Sequence, residues 1–272
     1  MPHAAGLYYE WHGPEEGEVL ILSAGLGGSA TYWAPNLDVL AARFRVLLYD
    51  HRGTGRSERA LPDGLTVEDM AGDLLALMNE LGVARAHVLG HALGGLIGMA
   101  AALAAPERIG RLVVINGWAR LEPHTARCFD TRLSLLRDSG PEAFIRAQPI
   151  FLYPANWMEL NAEAVEAEAA AQRGHFPGAE TVERRIAAVR GFDVQDRLGE
   201  IASPLLAVST GDDILVPSIA SSRIVDRLSP GNGGTEVIMQ WGGHACNVTA
   251  AEDFNDFVPA WLAGEPLLEE QD

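Results

Sequence analysis

Residues 90–94 read Gly90-His91-Ala92-Leu93-Gly94. The run before them, Ala86-His87-Val88-Leu89, has the pattern of a short buried strand. The run after them, Gly95-Leu96-Ile97-Gly98-Met99-Ala100-Ala101, is small and apolar, as a helix packed closely on a sheet must be. Strand, sharp glycine-flanked turn and helix form the context of a G-x-S-x-G nucleophile elbow, with alanine at the position of the serine. A methyl group cannot attack a carbonyl. The chain is therefore either an enzyme that works without a covalent intermediate or a non-catalytic relative of enzymes that form one.

Elsewhere apolar runs alternate with helical patterns, the signature of an α/β fold with a mostly parallel central sheet flanked by helices. Strands are expected at Leu7–Trp11, Val19–Ser23, Phe44–Tyr49, His87–Leu89, Leu112–Ile115, Leu205–Ser209 and Val237–Gln240, and helices over Tyr32–Leu40, Val67–Leu81 and Asp253–Leu262. Between Trp118 and about Phe192 the strand alternation stops. That segment is helical in character, with Ala162–Gln172 and Val182–Val189 on either side of the breakers Gly174, Pro177 and Gly178. An insertion leaving the C-terminal end of a strand sits above the sheet as a lid. A single domain over residues 1–272, with a helical lid over approximately 118–192, is the expected organisation.

Two further signals stand where an elbow needs them. Asp213, in Gly211-Asp212-Asp213-Ile214-Leu215-Val216-Pro217, directly follows a buried strand, and His244, in Gly242-Gly243-His244-Ala245-Cys246, follows the last one. The order elbow, acid, histidine suits a catalytic pair in which a carboxylate accepts the Nδ1 proton and leaves Nε2 to act as base. Asp212 is the rival acid. The turn Ser23-Ala24-Gly25-Leu26-Gly27-Gly28 leaves backbone N–H groups free, so Leu26 and Leu93 are the expected oxyanion donors. Ser23, Gly25, Trp118, Arg120, Trp157 and Asn247 are candidate pocket residues, Arg120 because a small anion in so acidic a chain needs a local cation. His91 is a weaker pocket candidate. Cys246 is a remote candidate as a substitute nucleophile, since buried cysteines usually behave as small hydrophobes.

The stretch Asp50-His51-Arg52-Gly53-Thr54-Gly55-Arg56-Ser57 resembles the D-x-R-G-x-G-x-S segment of the α/β-hydrolase superfamily, where its role is structural, a loop braced by Asp50 and Arg52. Together with the elbow and the two later motifs, the resemblance covers essentially the whole chain and implies the α/β-hydrolase fold. More narrowly, Gly90–Gly94, Asn116-Gly117-Trp118, the lid stretch Gln148–Met158 and Gly242–Thr249 resemble the RutD family of the Rut pyrimidine-degradation pathway. That family also carries alanine at the elbow, so Ala92 does not require an engineered knockout of a serine esterase. The resemblance implies hydrolysis of a small, labile product of uracil ring opening, either carbamate or aminoacrylate. The alternative is a binding or scaffold protein on the same fold.

Composition limits the partners. Twenty Lys and Arg against 37 Asp and Glu give a net charge of −17, which argues against nucleic acid and anionic membrane surfaces. The apolar run Ala92–Ala105 is shorter than the ~18 residues of a membrane helix. Met1–Gly6 shows no basic segment leading into an apolar stretch, so a cytoplasmic protein is expected. Two cysteines, Cys128 and Cys246, form no metal-ligand pattern, and no nucleotide-binding glycine fingerprint appears. No cofactor and no metal are expected. The expected partner is a small-molecule substrate, and the expected assembly a homodimer.

Overall fold

The computed structural model describes residues 2–267. Strands β1 (His3–Ala4), β2 (Leu7–His12), β3 (Val19–Ser23), β4 (Arg45–Tyr49), β5 (Ala86–His91), β6 (Ile109–Ile115), β7 (Leu205–Thr210) and β8 (Thr235–Met239) form one sheet. Their order is β1-β2-β4-β3-β5-β6-β7-β8. The pairs β1·β2 and β2·β4 are antiparallel and all others parallel. Strand runs such as Val19-Leu20-Ile21-Leu22 are apolar without alternation because both faces of a helix-covered parallel sheet are buried.

Connecting the strands are α1 (Ala34–Ala41), α2 (Val67–Glu80), α3 (Leu93–Ala104), α4 (Pro123–Leu152), α5 (Ala155–Leu160), α6 (Ala162–Gly174), α7 (Ala179–Gly191), α8 (Ile219–Val225), α9 (Cys246–Thr249) and α10 (Ala251–Leu262). Leu20, Leu22, Leu89, Val113 and Val208 face α1 and α10, while Ile21, Val88, Leu112, Val114 and Ala207 face α2, α3 and α8. The two cores are thus separated by the thickness of the sheet, and the central strands feed both through their period of two. Helix α2 starts with a capping box, Thr66 accepting from the Asp69 N–H while Asp69 accepts from that of Thr66. Helix α3 is apolar all round, and every residue from Leu93 to Ala102 is buried, as expected of a helix enclosed by other elements.

Some elements differ from the sequence expectation. The helix expected over Tyr32–Leu40 is split into a 3₁₀ turn, Ala30–Trp33, and α1, with Pro35 in the first turn of α1. Its N-cap is Ser29, whose hydroxyl accepts from the Thr31 N–H. The leading strand is preceded by the two-residue β1. Between β6 and β7 the main elements are helices, and the largest, α4, is bent. Gly140 sits at φ 84°, ψ 177°, followed by Pro141. Proline disfavours helical backbone in the residue before it, and glycine alone takes that φ readily, so the pair breaks α4 into two limbs. No helix among the described residues is long and apolar enough to cross a membrane.

The loop after β4 is a brace. Asp50 is fully buried and accepts from the Ala30 N–H (2.8 Å), the Arg56 N–H (2.9 Å) and Arg56 Nε (2.8 Å). Arg52 forks onto Asp73 at 2.8–3.1 Å. A Cβ on Gly55 would come within 2.3 Å of the Asp50 carboxylate, so the loop can close around its acid only with glycine there.

The elbow depends on closer approaches still. A Cβ on Gly90 would lie 2.3 Å from the carbonyl of Gly94, and one on Gly94 would lie 1.9 Å from the carbonyl oxygen of Ser23. The start of α3 is therefore packed backbone to backbone on the exit of β3. Gly94→Ala is expected to destabilise by at least about 1–3 kcal/mol through overpacking that no rotamer change relieves. At the exposed Gly72 of α2, a methyl would meet no atom within 4 Å, and Gly72→Ala is expected to stabilise by about 0.5–1 kcal/mol. Thermal unfolding of both variants checks the contrast; equal melting temperatures would contradict it.

Candidate active site

Between β5 and α3 the backbone reverses over one residue. Ala92 takes φ 46°, ψ −113°, a conformation that costs a non-glycine residue about 1–3 kcal/mol unless its surroundings impose it. Here they do: the Ala92 N–H is held by the Ile115 carbonyl (2.8 Å), and its own carbonyl accepts from Leu96 (3.1 Å). Leu93 opens α3, so its N–H has no intrahelical acceptor. Neither the Leu93 nor the Leu26 N–H finds a protein partner among the described residues.

His244 and Asp213 meet across two loops. His244 Nδ1 lies 2.8 Å from Asp213 Oδ2, with the two side chains 3% and 0% exposed. The other carboxylate oxygen of Asp213 accepts from the N–H groups of Leu215 (2.7 Å) and Val216 (2.9 Å). An ionised carboxylate only accepts, so Nδ1 carries the proton and Nε2 keeps its lone pair. Nε2 makes no hydrogen bond among the described residues. Asp212, the rival acid, accepts from the Gly243 N–H at 2.8 Å and so fixes the histidine loop rather than the ring.

The loop is also tied to the elbow. The His244 carbonyl accepts from Asn116 Nδ2 (2.7 Å) and His91 Nε2 (2.8 Å). A carbonyl cannot donate, so His91 carries its proton on Nε2, and burial, with the His244 ring beside it, holds its pKa well below the usual value. His91 stacks on Tyr32 at 4.9 Å and meets His244 edge-on at 4.8 Å. Its Nδ1 lies against Gly25, where a Cβ would come within 2.8 Å.

The glycine turn after β3 is gripped from the helical segment between β6 and β7. Arg185 of α7 donates to the Leu26 carbonyl through Nε (3.1 Å) and Nη2 (2.9 Å), to the Arg52 carbonyl (3.2 Å) and to His51 Nδ1 (3.0 Å). Because arginine only donates, His51 Nδ1 is the acceptor and its Nε2–H faces Ser23 Oγ at 3.2 Å. Ser23 Oγ also contacts the Tyr49 hydroxyl at 2.8 Å. Ser23 is thus fully buried and engaged beneath the turn.

The remaining candidates are dispersed. Trp118 is buried with its ring 6.0 Å from Phe129 of α4. Trp157 is half-buried against Tyr153, 4.9 Å between rings. Asn247 is occupied by the Tyr32 hydroxyl (2.7 Å) and Asn36 (3.2 Å). Arg120 is 44% exposed and paired with Asp193 at 2.7 Å, so its charge is already matched on the surface. The Cys246 thiol is fully buried, and burial with Asp213 nearby pushes its pKa up to about 12; it is protonated and unreactive at neutral pH. A groove of about 600 Å³, bordered by Ile150, Met158 and Ile214, reaches Asp212 beside the pair.

Sequence reasoning missed Asn116, Arg132 and Arg185. Asn116, at φ 47°, follows a strand in an Asn-Gly pair, a signal for left-handed backbone. Arg132 and Arg185 interrupt apolar helical stripes, Thr125/Phe129/Leu136 and Val182/Ile186/Val189. A cation on a buried face is a legible anomaly.

An open α/β sheet with a helical segment after β6, a strained elbow and an acid–histidine pair at the strand ends defines a hydrolase of this architecture. The α/β hydrolase fold family matches residues 18–251. Curated relatives named "Putative carbamate hydrolase RutD" are 50% identical in a Caulobacter species, over 96% of this chain and 97% of the relative. In Rhizobium rhizogenes the figures are 47%, 94% and 97%. The chain belongs to the α/β-hydrolase family and, within it, to this RutD group. Among solved structures, an enol-lactonase from Burkholderia xenovorans superposes with a TM-score of 0.85 at 27% identity, covering 94% of this chain and 96% of its own. A hydrolase from Pseudomonas aeruginosa gives 0.84 at 30%, covering 95% and 94%.

Asp213→Asn is expected to lower hydrolytic turnover by about 10³–10⁴-fold, nearly as much as His244→Ala, because the amide favours the wrong tautomer and cannot stabilise an imidazolium. Steady-state rates with circular dichroism of each variant check this. A folded Asp213→Asn protein with wild-type turnover would show that His244 does not act as an oriented base.

Proposed function

We propose that this protein hydrolyses a small product of pyrimidine ring opening, carbamate or aminoacrylate, by activating water in place of a serine nucleophile. One observation carries the reading: a complete Asp213–His244 pair, with a free Nε2, serves an elbow whose side chain is only a methyl. The strained backbone of Ala92 is the conformation that presents a nucleophile, retained where none exists. A water beside that methyl has the room a hydroxyl would fill.

In this reading His244 Nε2 takes a proton from water as its oxygen adds to the carbon bearing nitrogen. The proton passes to that nitrogen, which leaves as ammonia. For aminoacrylate, proton uptake at the adjacent carbon first gives the imine, and the product is malonic semialdehyde. For carbamate, the products are ammonia and bicarbonate, which loses water to give carbon dioxide. The N–H groups of Leu26 and Leu93 stabilise negative charge developing on oxygen, each such donor being worth about 10²–10³ in rate. General-base help adds about 10²–10⁴. Nucleophilic catalysis divides a hard step in two; substrates already prone to break down gain little from it. The RutD name of the relatives supports the carbamate reading, and the lability of both compounds supports a water mechanism.

Ammonia release from fresh carbamate, and malonic semialdehyde from aminoacrylate, are expected to outpace buffer with wild type and to fall to the buffer rate with His244→Ala. Ala92→Ser is expected to leave this turnover level or lower it while adding weak activity on an activated ester. A large gain on either native compound would mean that the alanine is a defect. Breakdown no faster than buffer with wild type would leave a binding protein on a hydrolase fold.

A further inference from the structure

Two arginines are buried without a carboxylate partner among the described residues. Arg185 is matched by carbonyls and His51. Arg132 is not. It is 4% exposed, only its Nη2 is hydrogen-bonded, to Gln148 Oε1, and its Nε is buried with no acceptor. The rings of Phe129, Phe144 and Phe151 surround the guanidinium at 5.3, 5.6 and 5.8 Å, within cation–π range. Burial draws its pKa down to about 10, so it stays charged at neutral pH. A buried charge without a counter-ion is strongly unfavourable, yet no acidic side chain among the described residues pairs with it.

Its place in the fold says what is missing. Thr125, Phe129, Arg132 and Leu136 form the buried stripe on the first limb of α4. Thr125 Oγ1 donates to the Leu215 carbonyl at 3.1 Å, beside Asp213. The second limb ends at Leu152, whose carbonyl accepts from the Ala245 N–H at 3.1 Å, beside His244. Arg132 joins the two limbs through Gln148 and Phe151, so it belongs to the roof whose two ends rest on the two loops of the acid–histidine pair. Trp118, at the end of β6, presents a second buried donor, Nε1, also without an acceptor. Its ring and Arg132 flank the same Phe129 ring. Two unmatched donors, one charged, call for an anionic acceptor with more than one oxygen.

We propose that Arg132, joined by the Trp118 indole N–H, holds the carboxylate of the substrate, and that the site therefore takes short carboxylic acids whose carboxylate is separate from the carbon attacked by water. This rests on the hydrolase reading above and narrows it. Cys128, one turn before Arg132 on α4, donates to the Ile214 carbonyl, next to Asp213, at 3.6 Å. The cation is thus near the pair without an ion pair to Asp213, which would take the carboxylate from His244. Aminoacrylate, with one carbon between its carboxylate and its C–N carbon, fits such an arrangement. Carbamate does not, because its carboxyl carbon is itself the reacting carbon.

The test uses propionate, a stable short carboxylate, and propionamide, its uncharged counterpart, with binding to the whole protein followed by calorimetry. Propionate is expected to bind wild type and to lose about 10- to 100-fold in affinity in Arg132→Met, the scale of a charge-assisted contact. A smaller loss is expected in Trp118→Phe, which keeps the ring and removes the N–H. Propionamide is expected to bind wild type at least about tenfold more weakly than propionate, a comparison that needs no variant to fold. Absence of propionate binding, or equal affinity for acid and amide, would overturn the subsite. These readouts involve no turnover, so inert protein that binds propionate through Arg132 refutes the hydrolase reading alone. Active protein indifferent to acid or amide refutes the subsite alone.

Discussion

The carbonyl oxygen of Ser23 occupies the space where a side chain on Gly94 would begin, and the site is arranged around that contact. It brings the first turn of α3 onto the exit of β3, which sets the Leu93 N–H and the Leu26 turn side by side. The same approach forces the chain to reverse at Ala92, and the Ile115 carbonyl holds the reversal. His91, next in the chain, is thereby aimed at the His244 carbonyl. One backbone contact positions the elbow, the glycine turn and the histidine loop together. A looser packing would relax φ at Ala92 and release all three.

Charge is distributed unevenly around this frame. The surface is strongly acidic, and its arginines are mostly spent in pairs such as Arg120 with Asp193 and Arg52 with Asp73. The two buried guanidiniums are different. Arg185 uses its donors on carbonyls and so ties α7 to the loops after β3 and β4. Arg132, in the same helical segment, has donors left over. Electrostatics at short range, rather than net charge, decides which anions such a site accepts.

Much of this was legible in the sequence. Period and punctuation marked most strands, because buried parallel strands read as apolar runs and glycine turns stop them. The spacing of Asp213 and His244 behind their strands was equally plain, and the structure puts the two side chains in contact. The bend of α4 was not legible: its helical limbs are amphipathic, and only Gly140-Pro141 hints at the break. The choice of Arg120 rested on the need of a small anion for a local cation in so acidic a chain, whereas its pairing with Asp193 depends on a bridge between segments far apart in sequence. Arg132 was legible only as a cation on a buried stripe. Its setting is made by Phe144, Gln148 and Phe151, which approach only when the helix folds back.

Water in place of an enzyme nucleophile is the central claim, and intact-protein mass spectrometry during turnover tests it most directly. Protein quenched in acid while ammonia release runs ahead of buffer is expected to keep its unmodified mass at every time point. A covalent adduct that appears and decays with turnover, on any side chain, would contradict it.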